Sequence, residues 1–230
     1  MNSIIENLLS LLYPKTCLAC GKSLCKGEKV ICTQCEYHLP LTHFHDDHDN
    51  IINQTFWGRI PFESATSLLY FRKGGKVQHL IHHLKYKGEK EVGIYLGRLL
   101  GTELKQSKCF KQIDFIIPVP LHPKKKKKRG FNQSEIIGRG LTETYGGELK
   151  INYLIRKINS STQTKKNRIN RWENVKSIFE VQNAQELENK KILLIDDVIT
   201  TGATLDACAT CLKDIPGIKI YIASLAYAHS

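Results

Sequence analysis

Nowhere in its 230 residues does this sequence hold the roughly 20 consecutive apolar residues that a membrane-spanning helix needs, so no span is expected. A basic leader region is missing too, and Glu6 interrupts the apolar N-terminal stretch, which argues against a secretory signal and for a cytosolic protein. No G-x-x-x-x-G-K-[ST] phosphate loop occurs. The near-match to G-x-G-x-x-G that begins at Gly138 and Gly140 fails at its third position, Glu143. Acidic residues are scarce: 22 against 34 Lys and Arg leave a net charge of +12, which suits anionic partners. The run Lys124 to Arg129 carries only part of that excess.

A chain of this length buries one substantial core and carries a small accessory module. Eight cysteines in a reducing compartment point to metal ligation or core packing before disulfides. Cys17 and Cys20 form one C-x-x-C pair, and after eleven intervening residues Cys32 and Cys35 form a second. Each pair presents two thiolates from one tight turn. Two such turns complete a closed tetrahedral shell of sulfur, so a structural Zn2+ site is expected. An iron–sulfur cluster would use the same ligands, and the spacing admits it. Cys25 reads as a bystander. His43, His45 and His48 alternate with Asp46, Asp47 and Asp49 in what reads as a solvated linker. The expected division is residues 1–48 for an N-terminal helix and zinc-ribbon-like module, and residues 60–230 for the main domain.

The most informative segment runs from Lys191 to Thr204. Ile192 to Ile195 is the short apolar run of a strand buried on both faces of a parallel sheet. Asp196 and Asp197 follow where that strand is expected to end. Adjacent acids repel, so such a pair meets a cation, a polyhydroxyl ligand or water. Thr200, Thr201, Gly202, Ala203 and Thr204 then offer a turn of backbone N–H groups at the start of a helix, where an anion is favoured. Strand, acid pair and phosphate cradle describe a site for a phosphorylated sugar at the carboxyl end of an open α/β sheet. The bland alternative is an ordinary strand and turn with a solvated acid pair. The segment resembles the phosphoribosyl pyrophosphate (PRPP) motif of type I phosphoribosyltransferases.

Around this motif the periodicity predicts strands over 65–71, 113–121 and 218–226, and helices over 2–13, 77–84, 92–100 and from Ile136 onward. The strand ending at Pro118 and Pro120, a basic loop through Lys124 to Arg129, and the following helix make a second anion-binding corner. Lys85 and Lys87 are further cations, read by default as solvated surface. Residues 156–176 are polar and aperiodic, as a lid or linker is, and Arg168 and Arg171 in it suit a diphosphate. Cys208 and Cys211 read as small buried residues of a helix.

In their order these pieces resemble the ComF family of competence-associated proteins, which includes GntX-like relatives. The resemblance rests on the double C-x-x-C, Leu84-Lys85-Tyr86-Lys87-Gly88, Pro118-Val119-Pro120-Leu121, Arg129-Gly130-Phe131-Asn132-Gln133, and Gln163-Thr164 with Arg168, Arg171, Asn174-Val175 and Phe179. It ends in Asp196 to Thr204. It implies an α/β fold, a type I phosphoribosyltransferase-like parallel sheet flanked by helices. Asp196 and Asp197 would hold the ribose hydroxyls, residues 200–204 the 5′-phosphate, and Pro118 to Pro120 with Arg129 the pyrophosphate. Mg2+ would accompany PRPP. Three functions follow: a phosphoribosyltransferase acting in competence or DNA uptake, a single-stranded nucleic-acid-binding protein, or a catalytically silent PRPP sensor. Phe131, Tyr37 and Trp172 are the aromatics considered for base stacking.

Overall fold

The computed structural model describes residues 14–157 and 178–228. The helix expected over 2–13 lies outside them, as do Arg168, Arg171 and Trp172. In chain order the helices are α1 (Thr33–Tyr37), α2 (Ile51–Phe56), α3 (Lys76–His82), α4 (Lys90–Gln106), α5 (Pro123–Arg129), α6 (Gln133–Tyr145) and α7 (Ala203–Leu212). The strands are β1 (Ser64–Phe71), β2 (Phe115–Pro118), β3 (Glu148–Leu149), β4 (Leu154–Arg156), β5 (Phe179–Val181), β6 (Lys191–Ile199) and β7 (Lys219–Ala228).

Five strands form one sheet in the order β1-β7-β6-β2-β3, and every neighbouring pair is parallel. A sheet of this kind must be covered on both faces, which is why β6 opens with an unbroken apolar run. Its residues divide alternately: Leu193 and Ile195 join one core with α3, α4 and α6, while Ile192 and Leu194 join the other with α2 and α7. All four are fully buried. On the first face α4 and α6 approach backbone to backbone. A Cβ on Gly97 would lie 2.3 Å from the Ile137 carbonyl oxygen, and one on Gly140 2.1 Å from that of Ile94. Gly140 therefore serves helix packing, consistent with the failed dinucleotide motif.

Two expectations change here. The basic segment after β2 is helical: Pro123 opens α5, the His122 ring accepts from the Lys124 N–H at 3.2 Å, and Gly130 closes it at φ 80°. Proline at the first position and left-handed glycine after the last are start and stop signals strong enough to order even a lysine run. The histidine-rich stretch is docked on the domain and is not a free linker. His45 is half-buried with Nδ1 3.5 Å from Glu103 of α4. Ser107 Oγ donates to the His45 carbonyl at 2.5 Å, and His48 Nε2 lies 3.2 Å from Cys109 Sγ.

Candidate functional site

Strand β6 does not stop at Ile195. It carries both acids and continues to Ile199, pairing Asp196 with Ser224 and Val198 with Ala226 of β7. On its other side β2 ends at Pro118 opposite Ile195, after which the Val119 N–H donates to the Ile195 carbonyl at 2.9 Å. Past that bond the chain leaves the sheet through Pro120 and Leu121, which belong to no strand. The sheet therefore opens beside the acids on one edge only, and they stand at that opening within a strand instead of beyond its end.

Each acid has its own partner. Ser134, in the first turn of α6, donates from Oγ to Asp196 Oδ1 at 3.1 Å, and the Asp197 N–H donates to the same oxygen at 2.8 Å. Lys85 Nζ meets Asp197 Oδ1 at 2.8 Å. Lys85 comes from the wide turn His83–Lys87 that extends α3 with π-type bonding and ends at Gly88, φ 77°. Lys85 is thus a ligand of the acid pair and not a solvated surface lysine. Burial, followed by the Asp197 charge, pushes the Asp196 carboxyl up to about 7, outweighing the opposing Asp197 N–H, Ser134 hydroxyl and Lys85 charge.

Past Ile199 the chain turns through Thr200 and Thr201 to Gly202, which caps α7 at φ 73° without a side-chain hydrogen bond. Gly202 is needed twice over. L-residues rarely take that φ, and a Cβ there would lie 2.7 Å from Phe56 of α2. A hollow of about 40 Å³ is lined by Asp196, Val198, Ile199 and residues 200–205, so Thr200, Thr201, Gly202, Ala203 and Thr204 do surround one cavity. The first N–H groups of a helix lack intrahelical acceptors. Among the described residues only the Ala203 N–H finds a side-chain acceptor in this turn, Thr201 Oγ1 at a long 3.4 Å. A helix start lined with N–H groups suits a phosphate-sized anion.

The second corner is built by residues 129–133. Gly130 is left-handed, Asn132 Nδ2 donates to the Val119 carbonyl at 2.9 Å, and Asn132 Oδ1 accepts from the Ser134 N–H at 3.2 Å. Buried Gln133 accepts from Arg129 at 2.8 Å, yet its Nε2 has no partner. A pocket of about 490 Å³ opens here between Pro120, Lys126, Lys127, Asn132 and Arg156. Arg129 itself leans away, with its guanidinium 5.2 Å from the ring centre of Tyr86. Phe131 is 7% exposed beneath Lys90, so burial removes it as a stacking surface, whereas Tyr37 is 85% exposed. A further exposed ring, which composition and spacing did not single out, is Tyr86 at 60%. Its signal was its place inside the Leu84 to Gly88 motif.

In the N-terminal module Cys17, Cys20, Cys32 and Cys35 converge with all four sulfurs within 4.8 Å of one another, as one metal ion requires. The Cys20 and Cys32 sulfurs are 3.9 Å apart, close to the ~3.8 Å edge of a tetrahedron with zinc–sulfur bonds. Burial opposes ionisation of Cys17, but N–H donors, chiefly that of Cys32 at 3.3 Å, bring it down to about 6. Burial and the other sulfurs raise Cys35 to about 12, so without a cation the cluster does not hold four thiolates. The donor set fits a metal such as zinc. Cys25 is exposed outside the cluster, and Cys208 is buried in α7.

The parallel sheet, the acid pair at its open edge and the amide-lined turn define a phosphoribosyltransferase-type α/β domain, and residues 127–230 match the family described as Phosphoribosyl transferase domain. The DNA utilization protein YhgH of Shigella flexneri is 26% identical over 207 residues, covering 89% of this chain and 86% of that protein. Competence protein ComFC of Bacillus subtilis is 33% identical over 140 residues, 60% of this chain and 54% of the relative. A solved glutamine PRPP amidotransferase from B. subtilis, complexed with ADP and GMP, shares 18% identity at a TM-score of 0.44. That match covers 62% of this chain, which spans only 30% of the amidotransferase. Together these matches support the ComF resemblance.

Proposed function

We propose that this protein binds PRPP with Mg2+ at the open edge of β6 and acts in DNA uptake. Supporting the reading above all is the conjunction of Asp196, at the sheet opening, with the amide-lined hollow of residues 200–205. In it the 5′-phosphate occupies the hollow and the ribose hydroxyls meet Asp196 and Asp197. Pyrophosphate lies toward Gly130 to Gln133, where the unpartnered Gln133 Nε2 supplies a donor. Arg168 and Arg171 belong to the same reading as a cover for pyrophosphate. Mg2+ offsets the charge of pyrophosphate when bound. Should turnover occur, positive charge developing at the anomeric carbon would be favoured by the two carboxylates, with Lys85 released from Asp197 as the sugar enters. The cysteine cluster takes a structural Zn2+.

Calorimetry of the full chain with PRPP and Mg2+ tests the site. Heat is expected for the wild type and not for the Asp196→Asn, Asp197→Asn double variant. Equal heats would reject the assignment. Turnover in the presence of nucleobases separates a transferase from a silent PRPP sensor.

A second reading, single-stranded nucleic-acid binding, is favoured by one specific feature. Exposed Tyr86 lies between Arg129 and His82, whose ring centre is 5.0 Å away, and α5 adds its lysines. A base can stack on such a ring while lysines track phosphates. The names of the relatives, DNA utilization and competence proteins, agree with this reading.

A further inference from the structure

The turn that surrounds the hollow is held from behind by a residue outside every motif. Arg59 follows α2, and its Nη1 donates to two carbonyls at once, Thr55 at 2.9 Å and Thr201 at 3.0 Å. Its Nη2 forms an ion pair with Asp206 Oδ2 in the first turn of α7. Asp206 in turn donates its N–H to the Gly202 carbonyl at 2.9 Å, and its other oxygen, Oδ1, is buried with no partner. One guanidinium thus joins both ends of the phosphate-sized turn to the wall formed by α2, against which Gly202 is packed.

The placement poses an electrostatic problem that Arg59 resolves. Asp206 is mostly buried, and a carboxylate at the start of α7 would repel any anion seated on the same N–H groups. Burial already raises the Asp206 carboxyl, while the Arg59 charge lowers it. We propose that Arg59 is a positioning residue for phosphomonoester binding: it fixes the Thr201 carbonyl so that the turn's N–H groups face the hollow, and it neutralises Asp206 beside that hollow. The inference rests on the reading of this turn as the 5′-phosphate seat.

The test uses the full chain and two probes, ribose 5-phosphate and inorganic pyrophosphate, titrated by calorimetry. Arg59→Ala should weaken ribose 5-phosphate about tenfold, the scale of one charge-assisted contact, and leave pyrophosphate unchanged. Adding Asp206→Asn to Arg59→Ala should recover most of the affinity, because the uncompensated charge is then gone. A purely structural role predicts no such rescue. Equal ribose 5-phosphate affinity in wild type and Arg59→Ala would overturn the proposal, as would a double variant no better than the single one. Hydrogen exchange of the 201–205 amides is read in parallel without ligand. Faster exchange in Arg59→Ala supports the positioning claim, and unchanged exchange overturns it even if the wild type binds no ribose 5-phosphate, a result that would separately reject the phosphate seat.

Discussion

Asp196 carries the pH dependence of the site. Its folded value of about 7 lies above the ordinary 3.8, so the folded state holds that proton more tightly than the unfolded chain does. The resulting stabilisation is complete below about pH 4 and is lost as pH rises through about 7. Urea unfolding at about pH 5 and about pH 8 should show the wild type losing about 1–3 kcal/mol that Asp196→Asn does not lose. Ligand binding runs the other way. Hydroxyl donors and a cation need the ionised carboxylate, so PRPP affinity should rise with pH through about 7 in the wild type and stay flat in Asp196→Asn. The acids were legible because two carboxylates before a threonine-glycine turn are a local pattern. Lys85, Ser134 and Arg59 were not assigned to the site, since each reaches it from another element.

Gly202 shows how one element depends on another. Its positive φ belongs to the turn itself, but the Phe56 ring 2.7 Å from any added Cβ comes from α2. Gly202→Ala should therefore cost about 1–3 kcal/mol by urea unfolding, more than the φ strain alone, and trimming Phe56 to Leu should return part of it. Helix α5 presents the opposite case, an element whose side chains are nearly free. Its consecutive like charges repel at i+3 and i+4, and Pro123 and Gly130 hold its ends. Lys125→Gln with Lys128→Gln should change stability by less than about 0.5 kcal/mol. If α5 binds a single strand, the same change should reduce the salt slope of DNA binding by about 0.7 for each phosphate that a lysine no longer neutralises.

The cysteine module and the sheet domain share one apolar cluster. Cys17, Ala19, Val30, Ile31, Cys32 and Cys35 are buried together with residues of α3, α4 and α6, and the Ala19 carbonyl lies 3.2 Å from His79 Nδ1 of α3. The chain leaving the module then covers the outer edge of β1, where the Thr42 N–H donates to the Leu68 carbonyl at 3.0 Å and the Tyr70 N–H to that of Pro40 at 2.9 Å. Metal binding should therefore support the whole chain. Cys35→Ser is expected to release about one metal equivalent per chain and to lower the melting temperature of the complete protein. Elemental analysis with a thermal melt checks both, and a metal-free wild type would refute the assignment.

By itself the sequence determined whatever depends on neighbours along the chain: the buried run of β6, the acid pair, the glycine turn and the paired cysteines. These are patterns of spacing and local sterics, and they carried the ComF resemblance. Only the tertiary structure decided which side chains complete the site. The order β1-β7-β6-β2-β3 sets strands far apart in sequence side by side, so the pairing edge left open beyond Val119 and the residues reaching it from the segments around α2, α3 and α6 follow from packing. Local caps, Pro123 and Gly130, order the expected basic loop as α5 against its own charge, whereas packing turned the expected linker into a docked segment.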